Sequence, residues 1–242
     1  MVGEIAGGEG VSHFSDLAEE LEETGRLWFR GALNASDLDR FDGICTVEEK
    51  PGLRLEATAD LKIATGGNST LAGFVRQLVP NAHPVRFVVF NKSDSSNWLV
   101  PWHQDRVIAV AEKLDAEGYT NWSNKSGVWH CEAPIDLLSS MVFLRIHLDD
   151  TDEENGCLEL AHGTHKFGFI AADEADAIAD RSTVETCKAR RGDILIVKAL
   201  TLHRSKPSRN DKPRRTLRVD YSNAKLPGPL DWWAKMRAGG DG

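Results

Sequence analysis

Pro101-Trp102-His103-Gln104-Asp105-Arg106 sets an imidazole and a carboxylate two residues apart inside a stretch that otherwise reads as strand. Residues i and i+2 of a strand project to the same face, so His103 and Asp105 point together into one cavity. An imidazole nitrogen and a hard carboxylate oxygen make two thirds of the facial set that holds a non-haem Fe(II) with open coordination positions. Taken alone, the spacing is common among surface residues and carries little. Its meaning depends on whether the rest of the chain supplies a third ligand and a fold that delivers it.

Strand-like patterning surrounds the motif. Arg86 to Phe90 is a β-branched and aromatic run, Ser93 to Asn97 a polar turn, and Val107 to Val110 a further apolar run. Met141 to Leu148 alternates: Val142, Leu144, Ile146 and Leu148 form an aliphatic face, while Met141, Phe143, Arg145 and His147 form the other. Cys157 to Ala161, Thr183 to Lys188 and Asp193 to Lys198 read as strands. Arg214 to Tyr221 closes the series, with Arg215, Leu217, Val219 and Tyr221 facing the packing and Arg214, Thr216, Arg218 and Asp220 facing away. Residues 112 to 140 hold charge, Gly, Asn and two Trp without a clear period, and read as a long irregular loop covering a site.

The front of the chain reads as helical. Ser15 caps a helix through Asp16 to Glu23 that stops at Gly25, Leu27 to Arg30 is a short strand, and a second helix after Asn34 or Ser36 carries Leu38 and Phe41 inward. Residues 46 to 68 read as irregular apart from a strand near Leu53 to Ala57. Thr70 to Leu78 is a helix ended by Pro80. Ala171 to Ala179 is an Ala- and acid-rich helix or lid, and the tail after Leu226 reads as frayed, with Trp232 and Trp233 as a docking anchor. Helices in front and short strands behind indicate a mainly β fold with flanking helices, a sandwich or barrel packed on one side. The expectation is one domain over 1–242, with a helical part over about 14–80, a β core over about 85–222 and a short tail.

Composition bounds the function. A charged fraction of 27% with a hydrophobic fraction of 41% is that of an ordinary globular chain, and no apolar run reaches the roughly eighteen residues of a membrane span. The formal net charge of −8 argues against a nucleic-acid partner, which needs a basic stripe against phosphates. Met1 to Gly10 has neither a basic start nor an apolar core, so no secretory signal is expected and the chain reads as cytoplasmic. Cys45, Cys131, Cys157 and Cys187 form no Cys-x-x-Cys pair and read as reduced, buried thiols. No residue pattern decides between a monomer and a homo-oligomer.

His203 is the candidate third ligand, because it follows the buried run Asp193 to Val197, which would deliver it to the mouth of a barrel where opposite strands converge. Arg214, on the polar face of the last strand, offers a bidentate guanidinium to the far carboxylate of a dicarboxylic cosubstrate. At these residues the chain resembles the phytanoyl-CoA dioxygenase-like (PhyH) branch of the Fe(II)/2-oxoglutarate oxygenases. The matching pieces are Trp102-His103-Gln104-Asp105, the run from Leu148-Asp149-Asp150 through Glu154-Asn155-Gly156-Cys157-Leu158-Glu159 to Gly163-Thr164-His165-Lys166, then Arg191-Gly192-Asp193, and His203 with Ser205 and Arg214. They span about residues 85 to 222.

The resemblance implies a double-stranded β-helix (jelly-roll, cupin-like) core that holds Fe(II) by His103, Asp105 and His203 and consumes O2. It implies 2-oxoglutarate paired to Arg214 with help from Ser205, with Gln104 and Lys92 near the cosubstrate. The reaction implied is oxidative decarboxylation of 2-oxoglutarate to succinate and CO2, coupled to hydroxylation of a small molecule. Related halogenases replace the ligand carboxylate by a small residue, and Asp105 here favours hydroxylation. Arg204 stands where many relatives have a small residue, which predicts a more crowded or more cationic pocket mouth.

Other residues admit two readings. Arg145, His147 and His130 line a substrate pocket or, for the histidines, form a hydrogen-bonded pair in the sheet. Trp122, with Trp129, stacks on a substrate or packs the covering loop down. His162 and His165, three apart, look like metal ligands if taken alone, whereas the resemblance places them in a turn. Beside hydroxylation stand desaturation, epoxidation or rearrangement by the same chemistry, and a non-catalytic cupin-like binding protein, against which the full set of His103, Asp105, His203 and Arg214 argues.

Overall fold

A computed structural model of the protein describes residues 9–45, 52–92, 97–210, 212 and 214–234. The chain begins with helix α1 (Glu9–Thr24), strand β1 (Arg26–Phe29), α2 (Ala35–Ile44), β2 (Leu53–Arg54), α3 (Ala59–Thr65) and α4 (Thr70–Leu78). Ser15 lies inside α1, not at its cap; Leu17 and Leu21, four apart and so on one helix face, pack into the core. Gly25 ends the helix at φ +83°, where a Cβ would meet Thr201 Oγ1 at 2.5 Å. Asn34 caps α2 by accepting the Asp37 N–H, and Ser69 caps α4 in the same manner. α3 corrects the reading of 46 to 68 as irregular: Thr58 caps a two-turn helix too short to display a period, which buries Leu61 and Ala64. Residues 46–51 of that stretch lie outside the described residues, as do 93–96 of the expected turn.

Then follow β3 (His83–Lys92), β4 (Val100–His103), β5 (Val107–Val110), β6 (Thr120–Lys125), β7 (Val128–Glu132), α5 (Ile135–Ser140), β8 (Val142–His147) and β9 (Leu158–Ala161). A 3-10 turn (Thr164–Phe167), α6 (Ala175–Ala179), β10 (Val184–Cys187), β11 (Ile194–Lys198), β12 (His203–Ser205) and β13 (Arg214–Ser222) complete the order. Among the described residues, antiparallel sheets run β1-β11-β8-β13-β3-β2, β10-β9-β12-β4 and β5-β7-β6. This is the expected mainly β jelly-roll with flanking helices.

Period-2 alternation divides the large sheet between two layers. Val142, Leu144 and Ile146 of β8, Ile194 and Ile196 of β11, and Leu217, Val219 and Tyr221 of β13 join the helices in one core. Their neighbours Phe143, Leu195 and Val197 face the other way and pack on Leu158, Leu160 and Cys187 of the smaller sheet. The result is helices, large sheet, small sheet, with the site between the two sheets. All four cysteines are free and buried.

Two expectations fail on structure that lacks a hydrophobic period. Residues 112 to 140 are not an irregular loop: β6 and β7 form a hairpin whose turn, Ser126-Gly127, has φ of +52° and +84°, the two positive values a tight hairpin turn requires. β7 pairs β5, so the hairpin extends the chain from Asp105 as a third sheet. The tail is not frayed as far as residue 234. Trp232 is 1% exposed, forms a β-bridge with Val110 and donates its indole N–H to the Ala224 carbonyl at 3.1 Å, while Leu226 and Leu230 pack beside it. Trp232→Ala is expected to cost about 3–5 kcal/mol of unfolding free energy, measured by urea titration. A cost under about 1 kcal/mol would mean the tail is not docked.

Candidate metal centre

β4 and β12 are neighbours, and His103 and His203 are register partners across them. Directly opposite residues share a face, so the two imidazoles are delivered side by side, with ring centroids 4.2 Å apart. This differs from the expected convergence of opposite strands: the two histidines stand on one sheet, and His203 opens β12 instead of ending a strand. Asp105 lies just past β4, its N–H donating to the Ala199 carbonyl at 3.1 Å. One ligand atom each from His103, Asp105 and His203 lie within 4.8 Å of one another.

The surrounding hydrogen bonds suit this set to a cation. His103 Nδ1 lies 2.9 Å from its own strand's Pro101 carbonyl, and His203 Nδ1 2.9 Å from that of Thr201. Both carbonyls accept, which assigns the protons to Nδ1 and leaves both Nε2 lone pairs for a metal. His203 Nε2 stands 3.1 Å from Asp105 Oδ2. With Nδ1 protonated, that contact opposes two acceptors unless a cation serves both. Burial foremost pushes His103 down to about 4, so its imidazole is neutral. Burial disfavours the Asp105 charge, but the Arg218 guanidinium outweighs it and holds the carboxyl well below its usual 3.8. Two imidazoles, one carboxylate and open positions fit Fe(II).

Arg218 is the residue that sequence reasoning left on an unassigned polar face. Its Nη1 donates to Asp105 Oδ2 at 2.5 Å and its Nε to Asp220 Oδ1 at 2.6 Å, while Arg86 Nε donates to Asp220 Oδ2 at 2.6 Å. The guanidinium lies 4.1 Å over the Phe143 ring. Arg54, Val88, Arg218 and Arg145 are successive register partners across β2, β3, β13 and β8, so they form one row on the inner face.

A cavity of about 300 Å³ opens over this row. Among the described residues it is lined by Arg54, Arg86, Lys125, Arg145, Arg214 and Arg218, against the single lining carboxylate of Asp105, with His103, His203 and Ser205 also on its wall. Arg145 and Arg214 are buried, with no carboxylate bonded to either among the described residues; Arg145 donates to Thr216 Oγ1 at 3.1 Å and Arg214 to the Gly156 carbonyl. The Nε atoms of both lack a hydrogen-bond partner among the described residues. Burial first, and then the other cations, lower Arg145 to about 10 and Arg214 to about 9, so both stay charged at neutral pH. Two buried cations with unused donors are a binding site for an anion. Arg215, on the opposite face, is taken by Asp149 and Asp42.

Several sequence candidates are corrected by which way their side chains go. Gln104 alternates with the two ligands and faces away; it donates to the Gly168 and Leu200 carbonyls and accepts the Ile170 N–H, clipping loops together. Arg204 alternates with His203 and Ser205, pairs with Glu159 at 2.5 Å and lies over Trp102, outside the cavity. His147 is buried behind the cavity beside Trp28. Trp122 packs in the hairpin cluster, its N–H on the Tyr119 carbonyl. His130 does not pair with His147: it is fully buried and accepts Arg54 Nε at 3.1 Å, so it meets the cavity through Arg54. Lys92 pairs Arg214 in the backbone register, and its side chain lies outside the described residues. His162 bonds Glu185 and His165 the Glu22 carbonyl, as turn residues.

The family model described as Phytanoyl-CoA dioxygenase (PhyH) matches residues 15–216. A methylphosphonate hydroxylase from Gimesia maris is 31% identical over 115 residues, 45% of this chain and 44% of that protein, so the match spans less than half of its length. Among solved structures, the epimerase SnoN in complex with Fe3+, α-ketoglutarate and nogalamycin RO shares the fold at a TM-score of 0.64 and 15% identity, covering 90% of this chain and 92% of that one. HygX from Streptomyces hygroscopicus, with nickel and 2-oxoglutarate bound, does so at 0.60 and 15%, covering 87% of each chain. No described helix is long and apolar enough to cross a membrane.

Two expectations follow from the charges. Arg218→Met leaves Asp105 and Asp220 buried with less compensation and is expected to cost about 3–5 kcal/mol in chemical denaturation, with weaker Fe(II) binding in the same variant. An unchanged midpoint would sink this account of Asp105. Burial, then the Arg86 and Arg54 charges, lower His130 to about 4. The folded state therefore keeps it neutral where the unfolded chain, at about 6.5, takes up a proton. Its contribution is present above about pH 6.5 and is lost as pH falls toward 4. His130→Gln should flatten the fall in urea midpoint between pH 7 and 4.5, and an identical slope in the variant would refute the assignment.

Proposed function

Because the chain belongs to the phytanoyl-CoA dioxygenase (PhyH) family, we propose that it is an Fe(II)/2-oxoglutarate-dependent hydroxylase of a small molecule. The observation that carries this reading is the convergence of His103, Asp105 and His203 beside two buried guanidiniums, Arg145 and Arg214, that have no carboxylate partner among the described residues. Iron held there would couple decarboxylation of 2-oxoglutarate to succinate and CO2 with insertion of the other oxygen atom of O2 into a substrate C–H bond.

The chain's own part is positioning. Arg218 keeps Asp105 ionised and fixed, and the Pro101 and Thr201 carbonyls hold both imidazoles with Nε2 inward. Arg214, with Arg145 next to it and Ser205 on the same wall, receives the far carboxylate of 2-oxoglutarate through its free Nε and remaining donors. Val88, Phe90, Val100, Val107 and Leu158 line the remainder and limit water. Hydroxylation is favoured over halogenation because Asp105 occupies the position that a halide would need. The name of the Gimesia maris relative supports hydroxylation as the outcome, and makes methylphosphonate the first compound to test.

The test is succinate release from the protein with Fe(II), 2-oxoglutarate and O2, alone and with candidate substrates. Asp105→Ala should abolish both iron binding and succinate release. Arg214→Ala should raise the KM for 2-oxoglutarate about tenfold or more while iron binding is kept, since a hydrogen bond to a charged group contributes about 1.5–3 kcal/mol. Unchanged cosubstrate affinity would transfer the role to Arg145. Absence of iron binding and of succinate release together would favour a non-catalytic binding protein.

A further inference from the structure

Arg54, Arg86 and Lys125 reach the cavity from three separate elements, β2, β3 and the tip of the β6–β7 hairpin. Arg54 Nε donates to His130 Nε2, and His130 Nδ1 lies 3.0 Å from the Val128 carbonyl, which fixes the imidazole as an acceptor toward Arg54. A neutral acceptor orients a guanidinium without cancelling its charge. No described carboxylate pairs with Arg54 or Lys125, whereas Arg86 shares Asp220 with Arg218 and gives a further bond to the Val107 carbonyl at 3.2 Å. Burial, then the charge of Arg86, lower the pKa of Arg54, so two like charges are held close with donors to spare.

Arg54 stands level with the residue that touches Asp105, and Arg86 lies past that row, away from the cosubstrate arginine. Along β13, Arg218 is the residue that touches Asp105, and its row holds Arg54. Arg214 lies four residues to one side, roughly 13 Å at the usual strand rise. Asp220, opposite Arg86, lies two residues to the other side. One anion bound at Arg214 therefore leaves Arg54 and Lys125 without an opposite charge among the described residues.

Resting on the oxygenase reading, we propose that Arg54, Arg86 and Lys125 form a second anion subsite that anchors the substrate, a small molecule bearing a dianionic oxyanion of the phosphonate or phosphate-ester type. Two unmatched positive charges call for two negative ones. Donors converging from three elements suit a tetrahedral group with three outward oxygens, whereas a planar carboxylate is satisfied by a single fork. The cavity, about 300 Å³ before any cosubstrate enters, is at the lower limit of small-molecule sites of roughly 300–1,000 Å³ and restricts the remainder of the substrate to a short chain. The neutral His130 is a positioning residue for Arg54, and Lys125, exposed on the hairpin, is the mouth of the subsite.

The test is calorimetric titration of the full chain, loaded anaerobically with Fe(II) and 2-oxoglutarate, using methylphosphonate and propylphosphonate against acetate and butyrate. Alkylphosphonates are expected to bind and the matched carboxylates to bind at least about tenfold more weakly. Arg54→Met should weaken phosphonate binding about tenfold or more, the loss of a charged hydrogen bond, while the separately measured affinity for 2-oxoglutarate keeps its wild-type value. Lys125→Ala, at the exposed end of β6, should weaken it severalfold. Arg214→Ala should give the reverse pattern. Phosphonate affinity unchanged in both Arg54→Met and Lys125→Ala, or carboxylates preferred at equal chain length, overturns the subsite. A protein that binds Fe(II) and 2-oxoglutarate and releases succinate yet takes no phosphonate refutes the subsite alone; one that binds no 2-oxoglutarate refutes the oxygenase reading beneath it.

Discussion

The ion pair between Asp105 and Arg218 joins the two halves of the site. Asp105 follows a strand of the small sheet, and Arg218 sits mid-strand in the large one. A carboxylate taken from water loses several kcal/mol of solvation, and it stays ionised in the interior only against well-placed opposite charge. Arg218 supplies that charge, is itself held by Asp220, and Asp220 is held by Arg86. The chain of charges fixes the separation and rotation of the two sheets where the ligands meet. A metal bound by Asp105 therefore inherits a position set by β3 and β13 as well as by β4.

Where a segment is long and buried on two differing faces, its period could be read. β8, β11 and β13 alternate between the helix-side core and the inner face, and the sequence divides them as the structure does. The β6–β7 hairpin could not be read that way: Thr120–Lys125 is mostly exposed, its register shifts between Thr120 and Ser123, and Asn121 has a positive φ. Its legible signal was local, the Ser126-Gly127 turn. α3 was hidden by its brevity, whereas Trp232 was legible as an anchor and only its tertiary partners, Val110 and Ala224, were not.

The site divides on the same line. His103 and Asp105 were legible from an i, i+2 spacing, and His203 from the strand before it. The same alternation argues against Gln104 and Arg204, each adjacent to a ligand and so turned to the opposite side, where both are consumed by other contacts. Arg218 was legible only as one of several polar residues on a buried strand face. Its partner lies 113 residues away in the chain, and no spacing rule connects them. Arg54 was less visible still, since its cavity position depends on β2 pairing with β3 and on a histidine from the hairpin.

A chain with a formal charge of −8 nonetheless lines its central cavity, among the described residues, with six cations and one carboxylate. Like charges gathered in a half-buried space oppose folding, so the arrangement stores unfavourable electrostatic energy in the ligand-free protein. A structure without a ligand to bind would relieve it by placing acids inside, as it does at Asp220 for Arg86 and Arg218. Arg145 and Arg214 receive instead a hydroxyl and a carbonyl, and Arg54 a neutral imidazole. Each of these partners orients a guanidinium and leaves its charge intact. Anions that enter then gain the full interaction and relieve the repulsion together, so binding and stability rise by the same linkage.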